Sequence, residues 1–379
     1  MVKDIQKEKS TYYTHGFHPY PAKFTPQLVN NYLKKYCNNN LSCKILDPFC
    51  GSGTSILESV LNGFYATGID LNPIATLISK AKTHHYSLDN INTAIFFLQK
   101  VKRLYSEYQR NKDLINNYER HNFKNISHWF QENVIAELSL LKNEINKIED
   151  TKIKDLTQCA FSKIIVKVSN QDSEVRYTAK NKNHQDGIVF SSFIKTLFDY
   201  IQIIKSNKDV IKSDAVIYTG DTLTILKKLK DNKYDFIITS PPYINTFDYY
   251  LYHKQRMFWL DFDPSIVRKN EIGNHHKIDS QSLEKAIEEY KSFMTDIFIE
   301  LSRISKVDSI FVIIIGDGIV KGNVIDMSNV ISDIASKTDY SVLEIKSENL
   351  SNITRSFNKK FSNAEKKEHY IVLKNIKKG

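Results

Sequence analysis

The sequence lacks the cysteine patterns that indicate a disulfide framework or a metal site. Its 379 residues include only four cysteines, Cys37, Cys43, Cys50 and Cys159, and no two of them form a CxxC pair. None of the eleven histidines falls in a metal-ligand spacing either. These absences favour a reducing compartment over an oxidising one, and we expect no metal in the site.

Long apolar segments are absent as well. The longest apolar run, at residues 310–315, is far too short to span a bilayer. Residues 1–10 are polar and charged and show no signal peptide. We therefore expect a cytoplasmic protein without a membrane partner.

Negative charge is in deficit. The chain has 53 Lys and Arg against 43 Asp and Glu, for a formal net charge of +10. Cations that neutralise phosphates release condensed counterions, so this excess favours a polyanionic partner. A solvated basic surface would have the same composition, and charge alone leaves both interpretations open.

Short apolar strands alternate with helical patterns at both ends of the chain, which predicts an α/β fold with a doubly wound sheet. Strand patterns occur at 44–46, 65–69, 215–218, 234–238, 309–315, 341–345 and 369–373. The last two favour an antiparallel hairpin with a long loop. Residues 85–212 contain one glycine and no proline and have helical periodicity. We predict one discontinuous domain, 1–84 and 213–379, interrupted by a mostly helical insertion at 85–212.

A glycine-rich turn follows the first strand, with the sequence Asp47-Pro48-Phe49-Cys50-Gly51-Ser52-Gly53-Thr54. Small residues there let the backbone approach a ligand, and the next helix presents free N–H groups. Asp70 ends the next strand about twenty residues later, where a carboxylate can accept hydrogen bonds from both ribose hydroxyls. The spacing is not G-x-G-x-x-G, because position 56 is Ile. These features predict a nucleoside cofactor and leave open which one.

A proline-stiffened loop, Ser240-Pro241-Pro242-Tyr243, follows the apolar strand 234–238. The two prolines fix φ, so their carbonyls point in set directions. With the Ser240 hydroxyl, they provide acceptors that converge on one amino group. The Tyr243 ring can stack on a base. Alone, such a loop could be a purely structural turn. At a strand end in a chain that also has the glycine-rich turn, it predicts chemistry on an exocyclic amine, a poor nucleophile whose lone pair such acceptors would localise.

Together the two motifs resemble the S-adenosylmethionine-dependent DNA amino-methyltransferases, the N4-cytosine and N6-adenine enzymes. The resemblance implies a Rossmann-like methyltransferase fold with a mostly parallel seven-stranded sheet and an antiparallel last hairpin. The segment at 15–26 looks like the family's N-terminal cofactor segment, and 220–222 looks like its acidic element near the cofactor adenine. The implied cofactor-binding residues are Lys23, Phe24, Thr25, Asp47, Pro48, Phe49, Gly51, Gly53, Thr54, Asp70, Leu71, Asp221 and Thr222. The implied catalytic residues are Ser240, Pro241, Pro242 and Tyr243.

The serine at the head of the loop is similar to the N4-cytosine branch, and N6-adenine remains open. A C5-cytosine enzyme is disfavoured because that chemistry needs a nucleophilic cysteine, usually after proline, and no Pro-Cys pair occurs. The implied substrate is double-stranded DNA with the target base flipped out of the helix. A cognate restriction endonuclease is the implied partner.

Target recognition is assigned to the insertion, together with the loops after Tyr243 and around 352–367. Lys163, Lys167, Arg176 and Arg256 are the predicted DNA contacts, and a helical lid with a solvated basic face is the alternative. A tRNA guanine-N2 methyltransferase is disfavoured, because such enzymes usually carry Asp-Pro-Pro-Tyr-Gly and a separate RNA-binding domain. An inactive methyltransferase-like DNA-binding subunit is disfavoured by the intact motifs.

Overall fold

The computed structural model divides the chain into two compact units. It describes residues 10–21, 23–37, 40, 42–174, 176–244, 249–272, 282–320, 323–349 and 366–377. One unit, here the helical unit, comprises Met1–Pro21, Leu77–Asp214 and Tyr250–Pro264. The other, the sheet unit, comprises Ala22–Thr76, Ala215–Tyr249 and Ser265–Gly379. The statements below concern the described residues of each unit.

The described chain contains α-helices and β-strands in alternation at both ends and mainly helices in the middle. The helices are α1 (Pro26–Tyr36), α2 (Thr54–Leu61), α3 (Pro73–Thr83), α4 (Leu88–Arg110), α5 (Ile126–Trp129), α6 (Glu132–Asn146), α7 (Thr151–Val168), α8 (Ile188–Ser206), α9 (Thr222–Leu226), α10 (Tyr249–Trp259), α11 (Pro264–Asn270), α12 (Leu283–Ile304) and α13 (Met327–Ser336). The strands are β1 (Lys44–Asp47), β2 (Tyr65–Asp70), β3 (Gln171–Ser173), β4 (Arg176–Ala179), β5 (Val216–Thr219), β6 (Tyr234–Thr239), β7 (Ser305–Gly316), β8 (Gly318–Val320), β9 (Asn323–Ile325), β10 (Tyr340–Asn349) and β11 (Lys367–Asn375).

The sheet unit is built on a seven-stranded sheet in the order β10-β11-β7-β6-β1-β2-β5. Adjacent strands from β7 to β5 pair in parallel, whereas β11 pairs antiparallel with both β7 and β10. This confirms the predicted Rossmann-like, mostly parallel seven-stranded sheet with an antiparallel last hairpin. The strand order reverses at β1, whose neighbours are β2 and β6, and ligands of such sheets bind beyond the carboxyl ends at a reversal.

Apolar strand residues form the core of the sheet unit. Ile237, Phe311 and Ile313 are almost completely buried, and they pack with apolar residues of α12 such as Phe298 and Leu301. Burial on both faces explains why the central strands are nearly continuous runs of Ile, Val and Phe. The core therefore fixes the strand ends that carry the polar motif residues.

The helical unit differs from the predicted insertion in two respects. Besides 85–212 it includes an N-terminal segment and residues 250–264. It also contains the antiparallel hairpin β3–β4 between α7 and α8, which the sequence analysis did not predict. The β-branched and aromatic residues of Val175-Arg176-Tyr177-Thr178 were the available signal. In the described chain no helix is long and apolar enough to cross a membrane.

Candidate functional site

The glycine-rich turn connects β1 to α2 in the geometry that its sequence predicts. Gly51 and Gly53 have φ of 50° and 76°, in the left-handed region where a side chain would be strained. The Gly53 amide donates to the Cys50 carbonyl at 2.7 Å, and the Cys50 amide donates to the Ile69 carbonyl of β2 at 2.9 Å. The turn is thus attached to the strand that ends in Asp70.

Asp70 organises this turn through backbone hydrogen bonds. Its two carboxylate oxygens accept from the amides of Gly51 at 2.9 Å and Asn72 at 2.8 Å. Burial raises the pKa of Asp70 to about 6, against the lowering effect of those hydrogen bonds. Each oxygen has a further lone pair, so the carboxylate keeps the capacity to accept two more donors.

Asp47 joins three parts of the site. Its carboxylate accepts hydrogen bonds from the hydroxyls of Ser55, on α2, and Thr239, at the end of β6, and from the Phe49 amide at 3.0 Å. The side chain is buried, and this desolvation raises its pKa to about 6. Asp47 therefore positions the turn against the strand that leads into the proline loop, and protein donors already take three of its four lone pairs.

The loop Ser240–Tyr243 begins where β6 ends, beside the end of β1. The Ser240 hydroxyl donates to the Tyr243 hydroxyl at 3.3 Å, and both residues are half-buried. Burial raises the pKa of Tyr243 to about 12, so its phenol is neutral at pH 7. Because the Ser240 proton is directed at Tyr243, both lone pairs of the Ser240 oxygen can accept hydrogen bonds.

The two proline carbonyls of the loop have different surroundings. Tyr290, on α12, donates its hydroxyl to the Pro242 carbonyl at 3.1 Å. Within the described chain no hydrogen bond to the Pro241 carbonyl is recorded. The structure thus separates two acceptors that the sequence could not distinguish, since Tyr290 lies far from the loop in sequence. The continuation at 245–248 lies outside the described residues.

The other predicted cofactor residues also belong to the sheet unit. Thr222 donates its hydroxyl to the Pro48 carbonyl at 3.0 Å, which ties the start of α9 to the glycine-rich turn. Asp221 caps α9 by accepting from the Thr224 amide at 2.8 Å. The remaining members lie before α1, in the turn or after β2: Lys23, Phe24, Thr25, Phe49, Thr54 and Leu71. Their predicted contacts with a cofactor stay predictions.

Arg256 was predicted to contact DNA, and the structure contradicts that prediction. Its side chain is fully buried, and its guanidinium binds both carboxylate oxygens of Glu174 at 2.7 and 2.6 Å. It also donates to the carbonyls of Ser162 and Tyr252, both at 3.1 Å. A guanidinium so enclosed has no donor directed to solvent, so it is a structural residue of the helical unit.

The other predicted DNA contacts, Lys163, Lys167 and Arg176, lie in the helical unit as well. Lys167 and Arg176 are exposed, and Arg176 lies 3.6 Å from the half-buried Asp172. Lys163 is half-buried, with its ammonium 5.2 Å from the centroid of the Tyr200 ring. Two of the three are thus accessible to a polyanion.

Asp317, Asp326 and His369 form a group that the sequence analysis missed, with potential ligand atoms within 4.8 Å of one another. They are far apart in sequence, so no spacing could indicate them. Their proximity is explained by hydrogen bonds: His369 Nε2 lies 2.8 Å from Asp317, which also accepts from the amides of Met327 and Lys367. This network connects β7, α13 and β11.

The sequence analysis also missed residues that support the loop Ser240–Tyr243. Thr239 and Ser55 hold Asp47, and Tyr290 holds Pro242. Thr239 could have been found, because it is a polar residue at the end of an apolar strand and directly precedes Ser240. Nothing in the sequence around Tyr290 indicates that it would contact the loop.

Comparisons with known proteins identify relatives of the chain, although no family model matches it. It is 29% identical to the type II methyltransferase M.MvaI of Kocuria varians, over 65% of this chain and 58% of that protein. It is 26% identical to the type II methyltransferase M.MjaII of Methanocaldococcus jannaschii, over 84% of this chain and 74% of that protein. It is 23% identical to the type II methyltransferase M.BsoBI of Geobacillus stearothermophilus, over 76% of this chain and 62% of that protein. The chain thus spans less than two thirds of the length of M.MvaI and M.BsoBI.

Solved structures give weaker similarities. A class I S-adenosylmethionine-dependent methyltransferase of Listeria monocytogenes aligns with a TM-score of 0.34 and 9% identity, over 93% of this chain and 59% of that one. An S-adenosylmethionine-dependent methyltransferase of Methanosarcina mazei aligns with a TM-score of 0.33 and 10% identity, over 95% of this chain and 100% of that one. The fold assignment therefore depends on the strand order described above. The sequence similarities confirm the predicted resemblance, because the proteins that this chain is similar to are type II methyltransferases.

Proposed function

We propose that this chain transfers a methyl group from S-adenosylmethionine to the exocyclic N4 amino group of a cytosine in double-stranded DNA. The observation that carries the proposal is the arrangement of Ser240, whose proton is directed at Tyr243 and whose neighbour Thr239 is tied to Asp47. Similarity to type II methyltransferases supports the reaction class. A cognate restriction endonuclease is the proposed cellular partner.

The residues at the carboxyl ends of β1 and β2 fit S-adenosylmethionine. Asp70 keeps one lone pair on each oxygen, which suits the two hydroxyls of a ribose. Buried polar groups nearly always have hydrogen-bond partners, yet Thr54 Oγ1 and Asn72 Nδ2 are buried without one in the described chain. Thr54 begins α2, so a ligand there would also meet the free amides of a helix N-terminus. When bound, this cofactor supplies an electrophilic methyl group on a sulfonium.

The residues of the loop act on the amino group of the target base. The Ser240 oxygen and the Pro241 carbonyl accept hydrogen bonds from its two N–H bonds, which localises the nitrogen lone pair. Tyr290 engages the Pro242 carbonyl and so holds the loop in place. The Tyr243 ring provides a face on which the base stacks after it has been flipped out of the duplex.

Serine at the first position of the loop favours cytosine over adenine, as in the N4-cytosine branch that the motif resembles. The neutral hydroxyl is an acceptor of ordinary strength, and its role here is to orient and polarise the amine. The nitrogen loses one proton to solvent after it has gained the methyl group, so Ser240 need not take that proton. Adenine N6 presents the same exocyclic amine, and it is the alternative that the experiment below distinguishes.

The test is methyl transfer from labelled S-adenosylmethionine to unmethylated duplex DNA, followed by nucleoside analysis. We expect label in N4-methylcytosine. Ser240→Ala should abolish transfer while the cofactor affinity stays within about twofold. Ser332→Ala, which removes a half-buried serine hydroxyl from α13, is the matched control and should keep full activity.

Other labelled products would overturn parts of the proposal. Label in N6-methyladenine would move the enzyme to the adenine branch, and label in tRNA but not in DNA would overturn the DNA assignment. Retained transfer by Ser240→Ala would remove this residue from its catalytic role.

A further inference from the structure

The hairpin β3–β4 of the helical unit presents an exposed face of a kind that suits DNA. The hairpin is short, with Ser173 paired to Arg176. Tyr177 contacts the interior: its ring centroid lies 4.4 Å from that of Trp129, and its hydroxyl accepts from Gln255 at 3.0 Å. Side chains alternate along a strand, so Arg176 and Thr178 point away from that interior, and both are exposed.

Hydrogen bonds hold the hairpin at both ends. At the turn, the Glu174 carboxylate binds the buried guanidinium of Arg256, on α10. At the open end, the Asn170 amide donates to the Trp129 carbonyl at 2.7 Å, and the Lys180 amide donates to the Asn170 carbonyl at 2.6 Å. A two-stranded hairpin alone is marginally stable in water, so these contacts make it a preformed ribbon.

The charge around the hairpin is positive. Residues 163–184 include five basic residues and two acidic ones, Asp172 and Glu174. Glu174 is neutralised by Arg256, and Asp172, which is half-buried, lies 3.6 Å from the exposed Arg176. A long pair with one largely exposed partner contributes little, so Arg176 can exchange it for a phosphate or a base. Lys167 and Lys180 are exposed nearby, and the loop after β4 packs on the end of α7, because Lys182 donates to the Val166 carbonyl at 3.4 Å.

We propose that the β3–β4 hairpin is the ribbon that reads base edges in the major groove of the target DNA, with Arg176 as its specificity-determining residue. The proposal rests on the function proposed above for its choice of DNA as partner. A two-stranded ribbon fits the major groove, and an arginine there pairs with both acceptors of a guanine. Thr178 contacts a neighbouring base or phosphate, and Lys180 contacts the phosphate backbone.

The experiment measures binding and methylation separately on a duplex library with a randomised core. Binding is measured by fluorescence anisotropy over a series of salt concentrations, and methylated sites are identified by sequencing. Arg176→Ala should lower affinity for the preferred sequence by about tenfold to a hundredfold and relax the preference at one base pair. Arg176→Lys should keep the salt dependence but still relax that preference, because an ammonium cannot form the paired contact.

Two further variants separate readout from general charge. Lys180→Ala should weaken binding to all sequences alike and lower the slope of log affinity against log salt by about one. Lys195→Ala removes an exposed cation of the same unit that is likewise paired with an acidic residue, Asp199 at 3.2 Å. It lies on α8, outside the hairpin, and should change neither affinity nor preference.

The outcomes distinguish this proposal from the proposed function. If the wild type binds duplex DNA and Arg176→Ala changes its preference, the hairpin proposal holds even where no methylated base is found, and only the proposed function fails. If Arg176→Ala and Lys195→Ala behave alike, or if the wild type binds tRNA but not duplex DNA, the hairpin proposal is wrong.

Discussion

The Thr239 hydroxyl donates a hydrogen bond to the Asp47 carboxylate at 2.5 Å, and both side chains are buried. This contact joins the ends of β6 and β1, the two strands between which the order of the sheet reverses. One residue later the loop that we propose to be catalytic begins at Ser240. The position of the proposed amine-binding serine thus depends on the same carboxylate that holds the glycine-rich turn.

Thr239→Val removes this donor while keeping the shape of the side chain. We expect the free energy of unfolding to fall by about 1–3 kcal/mol, because a buried carboxylate loses a hydrogen bond. Methyl transfer should fall further than this instability explains, since the loop loses its connection to β1. Urea denaturation and turnover at saturating cofactor measure the two effects. Thr239→Ser keeps the hydroxyl and should retain most of the stability and most of the methyl transfer. Equal losses in the two variants would show that the hydrogen bond to Asp47 does not hold the loop.

Tyr243→Phe tests how the Ser240 proton is oriented. The phenylalanine keeps a stacking surface but cannot accept the Ser240 proton, so the hydroxyl is free to turn its proton toward the incoming amine. We expect kcat to fall by roughly tenfold, which corresponds to about 1.4 kcal/mol in the barrier. KM for S-adenosylmethionine should not change. Tyr243→Ala removes the ring as well and should also lower the affinity for DNA. If Tyr243→Phe has the same kcat as the wild type, the Tyr243 hydroxyl does not orient the Ser240 proton.

Gly68→Ala tests the packing behind the glycine-rich turn. A Cβ at this position of β2 would lie 2.9 Å from the Cys50 sulfur and 3.0 Å from Ile217 Cδ1. The turn must therefore move, and we expect weaker binding of S-adenosylmethionine by isothermal titration calorimetry. Adding Cys50→Ala removes the sulfur and should restore part of the affinity. If the double variant binds no better than Gly68→Ala, the contact with Cys50 does not position the turn.

Two buried histidines of the helical unit predict loss of stability in acid. Burial lowers the pKa of His18 and of His253 well below the ordinary value, with Arg256 adding to the effect in both. Below about pH 6.5 the unfolded chain then binds protons that the folded chain does not, so the free energy of unfolding falls as pH falls. Asp47 and Asp70 act in the opposite sense, because burial raises their pKa values to about 6. As pH falls, the folded chain binds protons at these carboxylates before the unfolded chain does, which raises the free energy of unfolding.

The variant His253→Leu separates these contributions. It should reduce the slope of stability against pH by up to about 1.4 kcal/mol per pH unit below pH 6.5. Urea unfolding at several pH values from neutral to mildly acidic measures the slope. Leu98→Ala, a buried and non-titrating change in the same unit, should lower stability equally at each pH. An unchanged slope in His253→Leu would show that this histidine does not contribute.

The seven strands of the main sheet and both motif turns were predicted from local patterns. A strand that is buried on both faces is a nearly continuous apolar run, as at 310–315. In both motifs the turn residues directly follow an apolar strand. The hairpin β3–β4 was not predicted, because its strands are short and half-exposed and the β-branched and aromatic signal at 175–178 spans only four residues. Arg256 was assigned to DNA because a basic residue on a helix gives no indication of its depth.

The sequence by itself determined where the seven strands lie along the chain, the two motif turns and the resemblance to amino-methyltransferases, because these depend on residues that are neighbours in the chain. Only the tertiary structure decided which groups remain available for chemistry. It buries Arg256 against Glu174, occupies Asp47 and the Pro242 carbonyl, and leaves Ser240 with both lone pairs free to accept. Each of these outcomes depends on a hydrogen-bond partner brought close by folding, except the pairing of Ser240 with Tyr243, which the loop itself provides.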